Sequence, residues 1–259
     1  MFSEELITAK VAARNAGKIL MKYFKAIDKK VVMKSKDNPV TVADHEADSY
    51  LFNFIINEFP NDGWLSEETV DTYERLDKDR VWIVDPLDGT KEFIEGVENF
   101  SISIALVHKN SPVVGVVFNP ATNEMFSCEK NKGVYLNGKK MSISKQNKLE
   151  QSSIIVSRSE LKRGEWDLYK ENFKSIMPIG SVAYKLAMVS AGINDTFVTV
   201  APKNEWDICA GDCLVNEAGG ALKTINDKKI IYNQKKTLVT DTIISTNSIL
   251  FNEVSDLLF

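Results

Sequence analysis

The sequence predicts a mixed α+β/α/β protein, and three observations predict it. Val81-Trp82-Ile83-Val84 is a run of consecutive apolar residues leading straight into Asp85-Pro86-Leu87-Asp88-Gly89-Thr90. A strand apolar on both faces is covered on both sides. Next, Ser101–Val107, Val113–Phe118 and Glu124–Cys128 are strand patterns separated by turn residues such as Asn119-Pro120 and Asn131-Lys132-Gly133, which gives an antiparallel meander. Beyond Ile154, strand and helix patterns interleave. These features divide the chain into an α+β half (1–145) and an α/β half (146–259). No repeat, low-complexity tract or linker separates them, so they are expected to pack as a single unit.

Taken in order, Leu6 to about Lys25 is an amphipathic helix with Leu6, Val11, Ala13, Ala16, Leu20 and Phe24 as its apolar positions and Lys and Arg between them. Val31-Val32-Met33 reads as a short strand, and the polar stretch Lys34 to Pro39 as a loop or hairpin turn. Thr41-Val42-Ala43-Asp44 has capping-box spacing and opens a helix to about Phe59 that buries Ala47, Leu51, Phe54 and Ile55. Asp44, Glu46 and Asp48 crowd its first turns, where the helix dipole favours acids. Trp64-Leu65 is a brief strand ending at Ser66-Glu67-Glu68, and Asp71 to Arg80 is a charged surface loop. Lys91–Ile94 forms a short helix, and Val134–Gly138 a final hairpin arm. In the second half, Ile154–Ser159 is a strand ending in polar residues. Helices follow at Leu161–Phe173 and Val182–Ala191, then a strand at Asp195–Val200. A helix opens at Pro202–Asp207 and stops at Gly219-Gly220, and Ile249–Leu258 closes the chain.

Composition excludes several classes. With 259 residues, 44% hydrophobic and 26% charged, the chain has material for a substantial core and is not disordered. A net charge of −4 argues against a binder of nucleic-acid polymers. No apolar run reaches the roughly eighteen residues that span a bilayer, so no membrane partner is expected. Met1-Phe2-Ser3-Glu4-Glu5 carries acids where a signal peptide carries bases, so a cytoplasmic location is expected. Cys128, Cys209 and Cys213 are too few for a disulfide framework, and Cys209 and Cys213 read as small buried apolar residues of one helix. His45 and His108 are the only histidines, which leaves a zinc site or a Ser-His-Asp triad without support.

The chemistry concentrates where the buried strand ends. Two carboxylates at the mouth of such a strand repel each other and resist burial, and a divalent cation between them relieves both problems, because hard cations take oxygen ligands. Thr90 and the amides after Gly89 face the same spot, where a phosphate can be held at a helix start. The expectation is a magnesium-dependent phosphate site. Glu67 or Glu68 can reach it from a neighbouring strand. Asp207 lies in the first turn of its helix, with the small residues Ala210 and Gly211 leaving the surrounding face uncrowded.

Three blocks carry a family resemblance: Glu67-Glu68, Trp82 to Thr90, and Trp206-Asp207 with Ala210-Gly211 and Glu217-Ala218-Gly219-Gly220. Together they resemble the inositol monophosphatase superfamily of magnesium-dependent, lithium-sensitive phosphatases. The resemblance implies a layered αβαβα sandwich assembled as a homodimer. It implies that Glu67, Asp85 and the carbonyl of Leu87 hold an activating Mg2+, that Asp85, Asp88 and Asp207 hold a second, and that Asp44 supports a third. It also implies that Gly89 and Thr90 bind phosphate while Thr90 and Glu67 orient the attacking water. Asp85 to Phe93, with its Lys91-Glu92-Phe93 continuation, most resembles the CysQ-type 3′(2′),5′-bisphosphate nucleotidases, as do Ser157-Arg158-Ser159, Gly180-Ser181 with Lys185, and Pro202. Inositol monophosphatases place an acid seven residues before the last metal aspartate, where this chain has Val200. Gly180-Ser181-Val182-Ala183-Tyr184-Lys185 departs from the Gly-Ser-Ser-Leu-Lys pattern, with the lysine one residue later.

The implied substrate is a small phosphomonoester, adenosine 3′,5′-bisphosphate losing its 3′-phosphate. Asp88, Ser157, Arg158, Ser181 and Lys185 are further candidate substrate contacts. Inositol-1-phosphate, histidinol phosphate and fructose bisphosphate are the alternatives, and a regulatory or RNA-associated protein that keeps the fold and binds phosphate or nucleotide is the non-enzymatic one.

Overall fold

The architecture, seen in a computed structural model that describes residues 1–24, 26, 32–35 and 38–258, is built on two sheets. Helix α1 (Ser3–Phe24) leads to a two-stranded hairpin, β1 (Val32–Ser35) and β2 (Asn38–Val40), and then to α2 (Val42–Glu58). Lys25 and Val31, included in the helix and strand expected there, fall outside the described residues, as do Lys36 and Asp37 of the expected turn. Thr41 caps α2 as its spacing predicts: its hydroxyl accepts the Ala43 amide, and the Asp44 carboxylate accepts the Thr41 amide.

The first sheet has seven strands in sequence order: β3 (Gly63–Ser66), β4 (Arg80–Asp88), β5 (Ser101–His108), β6 (Ser111–Asn119), β7 (Glu124–Glu129), β8 (Val134–Leu136) and β9 (Lys139–Met141). β3 runs parallel to β4, with Ser66 opposite Val84, and all later pairings are antiparallel. Six-residue α3 (Thr90–Glu95) leaves the end of β4. The second sheet has the order β11-β10-β12-β16-β14, built from β10 (Ser153–Ser157), β11 (Ser175–Ile179), β12 (Thr196–Thr199), β14 (Gly220–Thr224) and β16 (Ile243–Asn247). Its helices are α4 (Arg158–Lys162), α5 (Val182–Ser190), α6 (Glu205–Glu217) and α7 (Phe251–Leu257). Two short strands, β13 (Lys203–Asn204) and β15 (Leu238–Val239), pair just before α6.

The layers follow from which faces are apolar. α1 and α2 cover one face of the seven-stranded sheet with Ala9, Ala13, Leu20, Ala47 and Leu51 against Trp82, Val84, Ile104 and Val116. α5 and α6 fill the space between the sheets, packing Leu186, Ile208 and Leu214 among Ile83, Ala105, Val117, Ile155 and Phe197. Trp166, Leu250, Phe251 and Val254 close the outer face of the second sheet. The result is the expected αβαβα sandwich. Burying β4 from Val81 to Asp88 in this way stabilises the strand by about 2 kcal/mol per large apolar side chain. Gly115 and Gly211 let α6 approach closely: an added Cβ would lie 2.7 Å from the Ala210 carbonyl oxygen and 2.4 Å from Leu186, respectively.

Several expectations need correction. The single helix expected over Leu161–Phe173 is instead the short α4 followed by a 3₁₀ segment at Asp167–Asn172, because Gly164 takes φ +77° and breaks the helix. The expected surface loop Asp71 to Arg80 contains a 3₁₀ turn at Glu74–Asp77 that buries Arg75, whose guanidinium reaches Asp71, Asn233 and the Gln234 carbonyl. Val11 does not join the buried face of α1 and is 42% exposed. The three cysteines are buried and free, with the Cys128 and Cys213 sulfurs 3.3 Å apart.

Candidate active site

A cavity of about 470 Å3 opens where β4, α3, α5 and α6 converge. It is lined by Glu67, Asp85, Leu87, Asp88, Gly89, Thr90 and Asp207, residues that the sequence singles out from positions far apart in the chain. Ligand oxygens of Glu67, Asp85 and Asp207 lie within 4.8 Å of one another, the one such group among the described residues. The parallel pairing of β3 and β4 explains the approach of Glu67: its amide donates to the Val84 carbonyl and extends the ladder one residue past Ser66. Asp207 arrives from the first turn of α6, where its Oδ2 accepts the Asn204 amide at 2.8 Å and completes a capping box.

The turn after β4 is held from within. Asp85 Oδ1 accepts the Leu87 amide at 2.9 Å, and the Thr90 hydroxyl lies 3.1 Å from the Leu87 carbonyl oxygen and 3.2 Å from Asp44 Oδ1. Asp44 also accepts the amide and hydroxyl of Thr41, at 2.8 and 2.6 Å. Gly89 takes φ +94°, and a side chain there would meet the Asn99 carbonyl oxygen at 2.9 Å. Asp88 lies near the trio and also reaches α5: its Oδ2 accepts the Ser181 hydroxyl at 2.7 Å and the Ala183 amide at 2.6 Å.

The electrostatics show a site built for positive charge. Burial, then the charges of Glu67, Asp88 and Asp207, drives the Asp85 carboxyl well above its usual range. Burial together with Asp88 and Glu67 lifts Asp207 to about 8. Burial also raises Asp44 and Asp88, against the hydrogen bonds they accept. Carboxylates gathered this way are costly without a counter-charge. An all-oxygen donor set of this kind fits a hard divalent cation such as magnesium.

Of the predicted substrate contacts, Ser157, Ser181 and Lys185 line the cavity, together with Ser159. Lys185 is 3% exposed, its Nζ lies 4.8 Å from the centre of the Phe197 ring, and burial pulls it down to about 8. Arg158 lies outside the lining and pairs instead with Glu92 at 3.1 Å and Glu95 at 2.9 Å. Lys203, which enters the cavity from β13, and Lys91 are not among the contacts the sequence points to, although they lie close in sequence to Asp207 and Thr90. Asp48, expected only to complement the helix dipole, does more. Asp48 is buried, and its two oxygens accept the hydroxyls of Ser66 and Thr69, the latter at 2.6 Å, on either side of Glu67-Glu68.

Two sheets with helices between them, and a cluster of acids at the end of a buried strand, define a layered α/β protein with an acidic pocket that could hold a metal ion. Comparison with known proteins names the particular kind. The family model described as "Inositol monophosphatase family" matches residues 3–253. The chain is 33% identical over 233 residues to an inositol monophosphatase of Mesembryanthemum crystallinum, covering 85% of each. It is 34% identical over 222 residues to a fructose-1,6-bisphosphatase/inositol-1-monophosphatase of Thermotoga maritima, covering 83% of each. The solved structure of a Thermotoga maritima IMPase superposes with a TM-score of 0.88 at 31% identity, over 98% of this chain and 96% of that one. The chain belongs to the inositol monophosphatase family and is a phosphatase of that family.

Proposed function

We propose that the protein is a magnesium-dependent phosphomonoesterase that hydrolyses the 3′-phosphate of adenosine 3′,5′-bisphosphate, giving AMP and inorganic phosphate. The observation that supports this reading is the set of cations in the cavity lining: Lys91, Lys185 and Lys203 line the same cavity as Glu67, Asp85, Asp88 and Asp207, with Glu92 also in that lining. A substrate with a second phosphate can use both the acidic cluster and these lysines, whereas a monophosphorylated polyol has one phosphate to place. Val200, where an inositol-recognising acid is expected by resemblance, is 48% exposed and offers no hydrogen bond to a sugar hydroxyl.

Glu67, Asp85, the Leu87 carbonyl, Asp88 and Asp207 would hold two Mg2+ ions, and Asp44 supports a third position. Bound magnesium supplies charge neutralisation and a bound water of lowered pKa. The chain's own groups do the rest. The Gly89 and Thr90 amides at the start of α3 bind the phosphate oxygens. The Thr90 hydroxyl, tied to Asp44 and Leu87, and the Glu67 carboxylate orient the water in line with the scissile bond. Water adds to phosphorus as the ester P–O bond breaks, and the leaving alkoxide takes up the proton that the attacking water gives up.

A second reading, inositol-1-phosphate as substrate, is favoured by the activity named for the curated relatives. Side-by-side kcat/KM values for adenosine 3′,5′-bisphosphate and inositol-1-phosphate in Mg2+ decide between them. A preference for the nucleotide is expected, and a preference for inositol-1-phosphate would overturn the substrate assignment while leaving the phosphatase. No turnover of any phosphomonoester would favour a non-enzymatic phosphate binder.

A further inference from the structure

Helix α1 carries a feature that the phosphatase site does not use. Lys10, Arg14, Lys18 and Lys22 recur every four residues, and no acid follows Glu5 on the helix. At about 100° per residue they fall within an arc of about 120°, together with Ile7 and Val11. Ile7 is 63% exposed and Val11 42% exposed. Like charges four residues apart destabilise a helix by a few tenths of a kcal/mol per pair. Among the described residues none of the four joins an ion pair with an acid; Lys18 reaches only Asn15 Oδ1, and Arg14 lies 5.9 Å from the centre of the Phe118 ring. In a chain of net charge −4, this ridge is a local inversion of sign.

Alongside the ridge runs a cleft of about 340 Å3 between α1 and the β6–β7 turn. Its lining is mainly apolar, from Val11, Met21, Phe118 and Pro120, and contains no acid. Gly17 makes the close approach possible, since a Cβ there would lie 2.7 Å from the Phe118 ring. Arg14 and Lys18 border the cleft.

We propose that this surface docks an acidic amphipathic helix of a partner protein, with carboxylates along the Lys10–Arg14–Lys18–Lys22 ridge and one or two large apolar side chains seated in the cleft. Charge complementarity selects the acidic face, and the cleft selects the apolar anchors. A nucleic acid would use the cations but leave the cleft empty, because Phe118 is 5% exposed and offers no stacking platform. A membrane surface would need a broad apolar face, and that of α1 is already spent against the first sheet.

The probe is a fluorescein-labelled synthetic helix of Glu and Leu, with Glu at four-residue spacing and Leu on one face, titrated into the full-length protein. Saturable binding is expected, weakened about tenfold by R14E/K18E and by Val11→Ser, with phosphatase turnover unchanged in both variants because none of these residues lines the catalytic cavity. Retained turnover also reports that each variant folds. A scrambled peptide of the same composition is expected to bind at least about tenfold more weakly. The proposal is overturned if the scrambled peptide binds equally well, or if Val11→Ser leaves affinity unchanged. It is also overturned if a single-stranded oligonucleotide or phosphatidylserine vesicles bind at this ridge and the peptide does not, or if none of these probes binds.

Discussion

Asp88 and Lys203 line the same cavity with opposite charges. Asp88 is buried, lies close enough to Asp85 and Asp207 to raise both, and has one oxygen engaged by Ser181 and the Ala183 amide. Asp88→Asn keeps the shape and removes the charge. It is expected to lower kcat by about a hundredfold or more with an unchanged circular dichroism spectrum, and turnover near that of the unaltered protein would refute a metal-holding role. Lys203 is half-buried, so its contribution is screened, and under the proposed substrate it would face the second phosphate. Lys203→Ala is expected to raise KM for adenosine 3′,5′-bisphosphate about tenfold while leaving KM for inositol-1-phosphate within about twofold. Equal effects on both substrates would remove Lys203 from recognition of the second phosphate. Asp85, Asp88 and Thr90 were legible because they are contiguous and their chemistry is local. Lys203 was not, because a lysine acquires meaning only from what the fold sets opposite it. Arg158 shows the reverse: a plausible anion contact in sequence, it is engaged by two glutamates of α3.

At the scale of elements, α2 acts as a buttress from one side of the cavity. Asp44 in its first turn holds Thr90, and Asp48 one turn later grips Ser66 and Thr69 around the Glu67 loop. Asp48→Ala frees that loop, and half-maximal activation is expected to need about tenfold more Mg2+, with Asp48→Asn recovering part of the loss. An unchanged magnesium requirement would reduce Asp48 to a structural residue. The capping box at Thr41 was readable from spacing, whereas the reach from Asp48 to Ser66 and Thr69 depends on how α2 crosses β3, which no local pattern encodes. The same limit explains Leu161–Phe173. Its apolar spacing suits a helix, yet Gly164 and the packing of Trp166 and Phe173 under the second sheet divide it.

For the whole molecule, the buried acids make stability depend on pH and on cation together. Burial lifts Asp207 from 3.8 to about 8, Asp212 from 3.8 to about 7 and Glu205 from 4.5 to about 7. Each folded-state value lies above the unfolded one, so between these limits the folded chain keeps protons that the unfolded chain has released. Stability from these groups is complete below pH of about 4 and is lost as pH rises through 7 to 8. The melting temperature of EDTA-treated protein is therefore expected to fall by several degrees between pH 5 and 8. Millimolar Mg2+, held as proposed by the ionised acids beside Asp207, should reverse much of that fall. A melting temperature that rises with pH without Mg2+ would contradict the burial of these carboxyls. The layered sandwich itself was legible only through resemblance. Periodicity identified most strands and helices but carried no information on how two sheets share the pair α5 and α6.

The parallel ladder that brings Glu67 level with the end of β4 makes the cation pocket a gauge of strand alignment. A slip of one residue between β3 and β4 would turn the Glu67 carboxylate to the opposite face and leave the trio incomplete. Only chains that have already aligned those strands, and seated α6 against them, can capture an ion at full strength. A luminescent lanthanide such as Tb3+, excited through Trp206 beside Asp207, would therefore act as a stopwatch in refolding, lighting up at the moment this non-local alignment is made.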